Sequence, residues 1–278
     1  MKHLYLNLKR FDVPAELGGV NRLCPINSWG EYIVSHTQEA LKAYDPNEVE
    51  FVQFFPEAHL IGAVGAKCEN SPVKVGCEGV FYTDVSVGGN FGALTTNRPA
   101  AAAYALGCSD VLIGHCEERN DKNAILAEAG VKDTAAVNRL LNREIKLAVE
   151  RGMNVLYCIG EKSEEQGEWE KVLGEQLEIG LDGVDKSKVV IGYEPIWSIG
   201  PGKKPADKEY ITKIARFVHK VTGGIDVVYG GGVKTDNAEM LASIDELSGG
   251  LIALTRFSGE IGFYPEEYID IIRTYMGK

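Results

Sequence analysis

The chain has 278 residues, 45% of them hydrophobic, and a net charge of −11 at pH 7. That length suits one large α/β domain or two small ones, and the apolar content supports a core with no disulfide or metal staple. The acidic balance disfavours loose binding to nucleic acid or an anionic membrane, and no run approaches the ~20 apolar residues of a membrane span.

The N-terminal stretch MKHLYLNLKRFD lacks the apolar block of a signal peptide. Cys24, Cys68, Cys77, Cys108, Cys116 and Cys158 form no C-x-x-C pair. They read as free thiols in a reducing compartment, so a cytoplasmic protein is expected. No two histidines are spaced to share a helix turn, so no metal site is expected.

In chain order, short apolar runs predict strands over 4–9, 49–54, 73–78, 110–115, 154–160, 189–194, 226–231 and 250–255. Amphipathic stretches between them predict helices over 31–44, 134–152, 168–181, 207–223, 237–247 and 265–276. Pro265 suits a first helical turn, and Gly152 and Gly223 suit positions just past helix ends. Eight β–α alternations without a linker predict one closed (β/α)8 barrel, a single α/β domain over 1–278. An open doubly wound sheet is the rival, weakened by the lack of a G-x-G-x-x-G turn. In a closed barrel the chemistry belongs at the C-terminal strand ends.

The strand ends carry the reactive side chains. In an alternating first strand, Asn7 and Lys9 would point the same way, into the barrel mouth. Lys9 there could meet a phosphate or an enediolate oxygen, or else snorkel at the strand end. His115 ends the fourth strand; a helix starting just past it would favour the neutral ring and lower its pKa. A neutral imidazole can polarise a carbonyl and move protons between neighbouring oxygens. His3, His36, His59 and His219 fall in linking or helix-like segments and read as structural. Cys158 on strand five could be a nucleophile, but nothing near it in sequence activates it.

Glu194 ends strand six. After it come Pro195, Ile196, Trp197, Ser198, Ile199, Gly200, Pro201, Gly202 and Lys203, the composition of a mobile flap with stiff hinges. A carboxylate beneath a closable lid suits proton abstraction, because closure removes water from the intermediate. Glycines in Tyr229-Gly230-Gly231-Gly232 would let backbone N–H groups approach an anion.

Residues 194–203 resemble the lid of the triosephosphate isomerase family, where a glutamate base precedes Pro-x-Trp-x-Ile-Gly-x-Gly-Lys. Asn7-Leu8-Lys9 resembles that family's Asn-x-Lys, and Gly114-His115-Cys116-Glu117-Glu118-Arg119 its Gly-His-Ser-Glu-Arg-Arg. Cys158-Ile159-Gly160-Glu161 matches Cys-Ile-Gly-Glu, and Tyr229-Gly230-Gly231-Gly232-Val233 is similar to Tyr-Gly-Gly-Ser-Val. The resemblance implies a TIM barrel, with Glu194 as base, His115 as proton shuttle and Lys9 as charge partner. Glu117 and Cys158 would support them, Cys158 packing near the base without reacting. Asn7, Gly200, Gly231, Gly232 and Tyr229 would bind substrate, and the Tyr229 hydroxyl could latch the closed lid. It also implies a cofactor-free homodimer acting on a small phosphorylated sugar in glycolysis and gluconeogenesis, with neither nucleic acid nor membrane as partner.

Departures mark where that pattern loosens. After strand eight the family has two phosphate-gripping glycines; here the stretch is Ala253-Leu254-Thr255-Arg256-Phe257, so Thr255 and Arg256 become candidate substrate contacts, Arg256 as a charged clamp. Glu78-Gly79 replaces Gln-Asn, and the loop that reaches the neighbouring subunit in typical members is altered through residue 98. Pro201 and Pro205 would restrict lid closure. The leading expectation is interconversion of glyceraldehyde 3-phosphate and dihydroxyacetone phosphate. One alternative is an isomerase for a longer sugar phosphate, such as a tetrulose phosphate. A barrel that binds a metabolite without turnover is the other.

Overall fold

In chain order the elements are β1 (Lys2–Asn7), α1 (Trp29–Leu41), β2 (Val49–Phe55), α2 (Leu60–Gly65), β3 (Val73–Cys77), α3 (Ala100–Ala105), β4 (Asp110–Ile113), α4 (Cys116–Glu128) and α5 (Thr134–Glu150). There follow β5 (Asn154–Ile159), α6 (Trp169–Gly180), β6 (Val189–Tyr193), α7 (Lys208–Thr222), β7 (Val227–Tyr229), α8 (Thr235–Ala242), β8 (Gly249–Ile252) and α9 (Pro265–Tyr275). The structure is a computed structural model and describes residues 1–200 and 202–278. The eight strands run parallel, each beside the next, and β8 closes on β1 with Leu4 opposite Gly250. This is the (β/α)8 barrel that the alternation predicted.

Two apolar layers hold it. Inside the barrel, Tyr5, Val52, Phe54, Leu112, Leu156, Cys158, Val228 and Leu251 fill the axis. The opposite faces of the same strands pack outward on the helices, with Trp29, Phe55, Ile145, Leu173, Ile214 and Tyr268 all buried. Strands buried on both faces read as continuous apolar runs, which is why they stood out in sequence. Pro265 opens α9, and Gly223 ends α7 in the left-handed region at φ 82°.

The open end is set by how early the strands stop. β1 ends at Asn7 rather than at 9, and Lys9 sits beyond it at φ 47°. The strand-alternation reason for its direction therefore does not apply; a turn outside the strand orients it. Glu194 follows β6 directly, its N–H donating to Ile159 O at 2.8 Å. A Cβ on Gly160 would overlap the Glu194 carbonyl, so only glycine lets β5 pass so close to the carboxylate-bearing segment.

At the opposite end, a charged cluster ties the strand starts together. His3 Nδ1 lies 2.6 Å from Glu50 Oε1 and Nε2 lies 3.0 Å from Asp226 Oδ2. Lys74 Nζ donates to Glu50 Oε2 at 2.7 Å and the Tyr5 hydroxyl to Oε1 at 2.6 Å. Burial opposes charge on Glu50, but His3, Lys74 and Tyr5 outweigh it and hold the carboxyl down at about 2. Burial likewise opposes charge on His3, yet its carboxylate partners raise it above 6.5. Glu50 therefore stabilises the fold fully above its unfolded value of 4.5 and loses that contribution as pH falls towards 2; the sum is roughly 3 kcal/mol. The His3 contribution has the other sign: complete below 6.5, lost as pH rises through its raised value. Thermal melts of wild type and Glu50→Gln should differ most between those limits and converge in acid. A difference independent of pH would contradict this linkage.

Candidate active site

Three strand ends deliver the reactive groups to one cleft of about 300 Å³, at the small end of small-molecule sites. Asn7, Lys9, His115, Glu194, Gly200 and Gly232 line it, together with Phe11, Leu251, Ala253, Leu254 and Phe257. Glu194 is 3% exposed. Its Oε1 is 3.0 Å from His115 Nε2, and its Oε2 accepts the Cys116 N–H at 3.1 Å.

His115 is the N-cap of α4, and Glu117 N–H donates to its Nδ1 at 3.3 Å. The helix start expected just past His115 is present, but its expected effect on the ring is reversed. Burial works against charge there, yet the Glu194 carboxylate outweighs burial and moves the imidazole pKa up. A helix N-terminus is worth at most ~2 kcal/mol, and a carboxylate in direct contact inside a protein exceeds it. The same contact holds Glu194 below the ordinary glutamate value despite its burial.

Lys9 is half-buried, and its Nζ donates to Glu117 Oε1 at 3.2 Å. Asn7 Oδ1 accepts the Lys9 N–H at 3.2 Å, bracing the left-handed turn. A non-glycine residue at positive φ costs about 1–3 kcal/mol and persists where the surroundings over-determine it. Arg119, buried behind His115, donates to Gly114 O, Asn138 Oδ1, Tyr157 OH and Cys158 O at 2.7–3.0 Å. These bonds tie the start of α4 to β5. Cys158 lies in the barrel interior, where burial raises its thiol well above the usual range; it is packing, not a nucleophile.

The lid is anchored at its first hinge. Trp197 Nε1 donates to Glu161 Oε1 at 2.8 Å, and the Tyr193 and Tyr210 hydroxyls reach the same oxygen at 2.9 and 3.1 Å. Ser198 is buried, with Oγ donating to Pro195 O. Ile199 and Gly200 face the cleft, while Gly202 and Lys203 are exposed. Gly200 and Gly202 have φ of 110° and 77°, the conformations for which a lid needs glycine. Pro201 lies outside the described residues. The Tyr229 hydroxyl is buried, donating to Gly231 O at 3.2 Å, with Ser198 of the lid and the Ala206 backbone beside it.

Strand eight differs from the expected clamp. Arg256 turns to α9, its Nε 2.8 Å from Glu267 Oε1 and its guanidinium 3.8 Å above the Tyr264 ring. The Thr255 hydroxyl accepts the Tyr264 N–H at 2.9 Å. Neither side chain lines the cleft; Ala253, Leu254 and Phe257 form that wall. Gly231 packs under Tyr229 and Pro195, leaving its neighbours Gly230 and Gly232 at the cleft surface.

Glu78 is the residue that sequence reasoning passed over as a site group. It lines the adjoining pocket with Asn7, Lys9, Arg10 and His115, and its Oε1 has no partner. Burial pushes its carboxyl up to about 8, so at neutral pH it is largely a protonated donor. The expectation of no metal site rested on histidine spacing. Among the described residues, however, ligand atoms of His115, Cys116 and Glu194 lie within 4.8 Å of one another.

A family model described as "Triosephosphate isomerase" matches residues 28–273. A triosephosphate isomerase of Dictyoglomus turgidum is 28% identical over 257 residues, covering 88% of this chain and 92% of that protein. One from Lawsonia intracellularis is 32% identical over 72% of this chain and 77% of its own. The crystal structure of triosephosphate isomerase from Bartonella henselae superposes with a TM-score of 0.71 at 21% identity, over 99% of both chains. With the family model spanning most of the barrel and the motif residues meeting in one cleft, this chain belongs to the triosephosphate isomerase family.

Proposed function

We propose that this chain is an aldose–ketose isomerase that interconverts glyceraldehyde 3-phosphate and dihydroxyacetone phosphate through an enediolate. The observation that carries it is the meeting of Glu194, His115 and Lys9, from three separate strand ends, in one cleft. Glu194 takes the proton from the carbon beside the carbonyl. His115 hydrogen-bonds the two substrate oxygens through Nε2 and moves a proton between them, while Lys9 offsets the negative charge that develops.

Without substrate, Glu194 rests on Cys116 N–H and His115 Nε2. Substrate seated between the two side chains replaces those contacts with its own C–H and oxygens. Separation from the carboxylate removes the force that favours charge on His115. The Glu117 N–H at Nδ1 then keeps the ring neutral. Backbone N–H groups at Gly200 and Gly232, which line the cleft, receive the phosphate, and Asn7 binds beside Lys9. Gly231, expected to share that role, is packed beneath Tyr229 and Pro195. The lid excludes water, so the enediolate is reprotonated before it loses phosphate. Tyr229 latches that lid, and no cofactor takes part.

The working unit is a homodimer. Support comes from the β3–α3 segment, where Val87 is fully exposed and Phe91 is 89% exposed, a poor surface for a lone chain. Sedimentation of a 30.3 kDa species at micromolar concentration would count against this. Among the described residues no helix is long and apolar enough to cross a membrane. A cytoplasmic location fits the six unpaired thiols, and recovery of the protein outside the cell would oppose it.

The longer-sugar alternative draws on the altered strand-eight loop, Gly232 and Arg256. Arg256, its one charged element, is engaged with Glu267 and withdrawn from the cleft. Initial rates on glyceraldehyde 3-phosphate and on a tetrulose phosphate test the choice. The triose should have the higher kcat/KM by at least about tenfold, roughly the discrimination a pocket makes for one extra carbon. Faster turnover of the four-carbon sugar by folded protein would overturn the triose assignment.

A further inference from the structure

Cys116 stands where the family pattern has serine, and its side chain has no part in the isomerisation described above. Its Sγ lies 3.8 Å from His115 Nδ1 and 3.9 Å from Nε2, while Nε2 lies 3.0 Å from Glu194 Oε1. We propose that His115, Cys116 and Glu194 form a binding site for a thiophilic divalent cation of the Zn2+ kind, which competes with the sugar phosphate.

The geometry is close to what such an ion requires. Tetrahedral zinc with the usual Zn–S and Zn–N lengths sets its donors about 3.3–3.6 Å apart. The two separations from Nε2 fall either side of that range, and all three donor atoms lie within 4.8 Å of one another. Side-chain movements on the order of an ångström would therefore complete the set. One sulfur, one nitrogen and one oxygen suit zinc or cobalt, whereas magnesium and calcium prefer oxygen alone. His115 and Glu194 line the open cleft. An ion held by the three groups therefore keeps a fourth position for water on that side, the arrangement of an accessible rather than a sealed zinc site.

Proton balance also works. The Cys116 thiol releases its proton to solvent as the metal–sulfur bond forms. Nε2 gives up its hydrogen to bind the ion, and the ring carries its remaining proton on Nδ1. The Glu117 N–H that donates to Nδ1 in the free site therefore turns away, and the Glu117 carboxylate accepts in its place. Nδ1 lies 3.5 Å from Glu117 Oε2, which places a carboxylate where an outer partner commonly orients a metal-bound histidine. Lys9 opposes the ion, since its charge acts on both His115 and Glu194. Its Nζ is paired with Glu117, however, and the thiolate and carboxylate together supply two negative charges.

An ion held this way occupies both proton-transfer groups. Zn2+ would therefore act as a reversible, chelator-sensitive inhibitor. Only that inhibition rests on the isomerase reading; binding does not. The test is titration of metal-free full-length protein with Co2+, followed by displacement with Zn2+, in wild type, Cys116→Ser and Cys68→Ser. Cys68 is an exposed thiol elsewhere and controls for adventitious binding.

Wild type and Cys68→Ser should show a thiolate-to-cobalt charge-transfer band that Zn2+ removes, and Cys116→Ser should lack it. Loss of an outer partner alone weakens metal sites ~10–100-fold, so losing the sulfur should weaken Zn2+ binding by at least about that much. In activity assays, Zn2+ should raise KM in wild type far more than in Cys116→Ser. A band that survives Cys116→Ser, or one that disappears in Cys68→Ser, would overturn the site. Protein with the band but no triose turnover would overturn the isomerase reading and leave the metal site standing.

Discussion

Glu194→Gln is expected to lower kcat on glyceraldehyde 3-phosphate by about 10^3- to 10^4-fold, the upper part of the range a positioned general base contributes. The amide keeps the shape of the carboxylate, so its contact with Cys116 N–H can persist and the fold should be unaffected. KM should change little, because the carboxylate acts on a proton that moves only in the transition state. Glu194→Asp separates position from chemistry. It keeps the base but retracts it by one methylene, and a misplacement of ~1 Å costs about 10^2-fold. Aspartate should therefore fall between wild type and glutamine. Equal activity in all three proteins would remove Glu194 from the mechanism.

Lys9→Met should lower kcat/KM by roughly 10^2- to 10^3-fold, the loss expected when one preorganised electrostatic group is removed from a closed site. Methionine has similar length and the same difficulty at positive φ, so backbone strain at residue 9 should be nearly unchanged. That makes the comparison one of charge. The loss should appear in KM as well as kcat, since the ammonium faces an anionic substrate before the reaction and an enediolate during it. Lys9→Arg restores charge with a wider, planar head, and should recover part of KM but little of kcat. A Lys9→Met protein with wild-type kcat/KM would assign Lys9 to the Glu117 ion pair alone.

Particular residues show what could be read from the sequence. Glu194 and His115 were legible because each ends a buried apolar strand, Glu194 ahead of a run of prolines and glycines and His115 just after Gly114, so local chemistry and position agreed. Lys9 was placed correctly at the mouth but for a reason that failed: β1 stops at Asn7, and a left-handed turn does the orienting. A two-residue shift in a strand boundary is beyond pattern reading.

The 13-residue helix α4 had no apolar stripe to reveal it, since Arg119 is its one buried residue. Helices α2 and α3, six residues each and rich in glycine or alanine, are shorter than two turns and leave little period to detect. Arg256 and Glu78 were opaque for a third reason. The Arg256 partner lies eleven residues onward in α9, and the burial of Glu78 arises only when the barrel closes around it. Neither environment is local.

The most direct test of the central claim is turnover of glyceraldehyde 3-phosphate in D2O, with the isomer and its label followed by proton NMR. The mechanism predicts dihydroxyacetone phosphate formed at a rate at least about 10^3-fold lower in Glu194→Gln, with deuterium entering at the carbon that exchanges its proton with the base. Isomerisation at the wild-type rate in Glu194→Gln, or folded wild-type protein that forms no dihydroxyacetone phosphate, would contradict it.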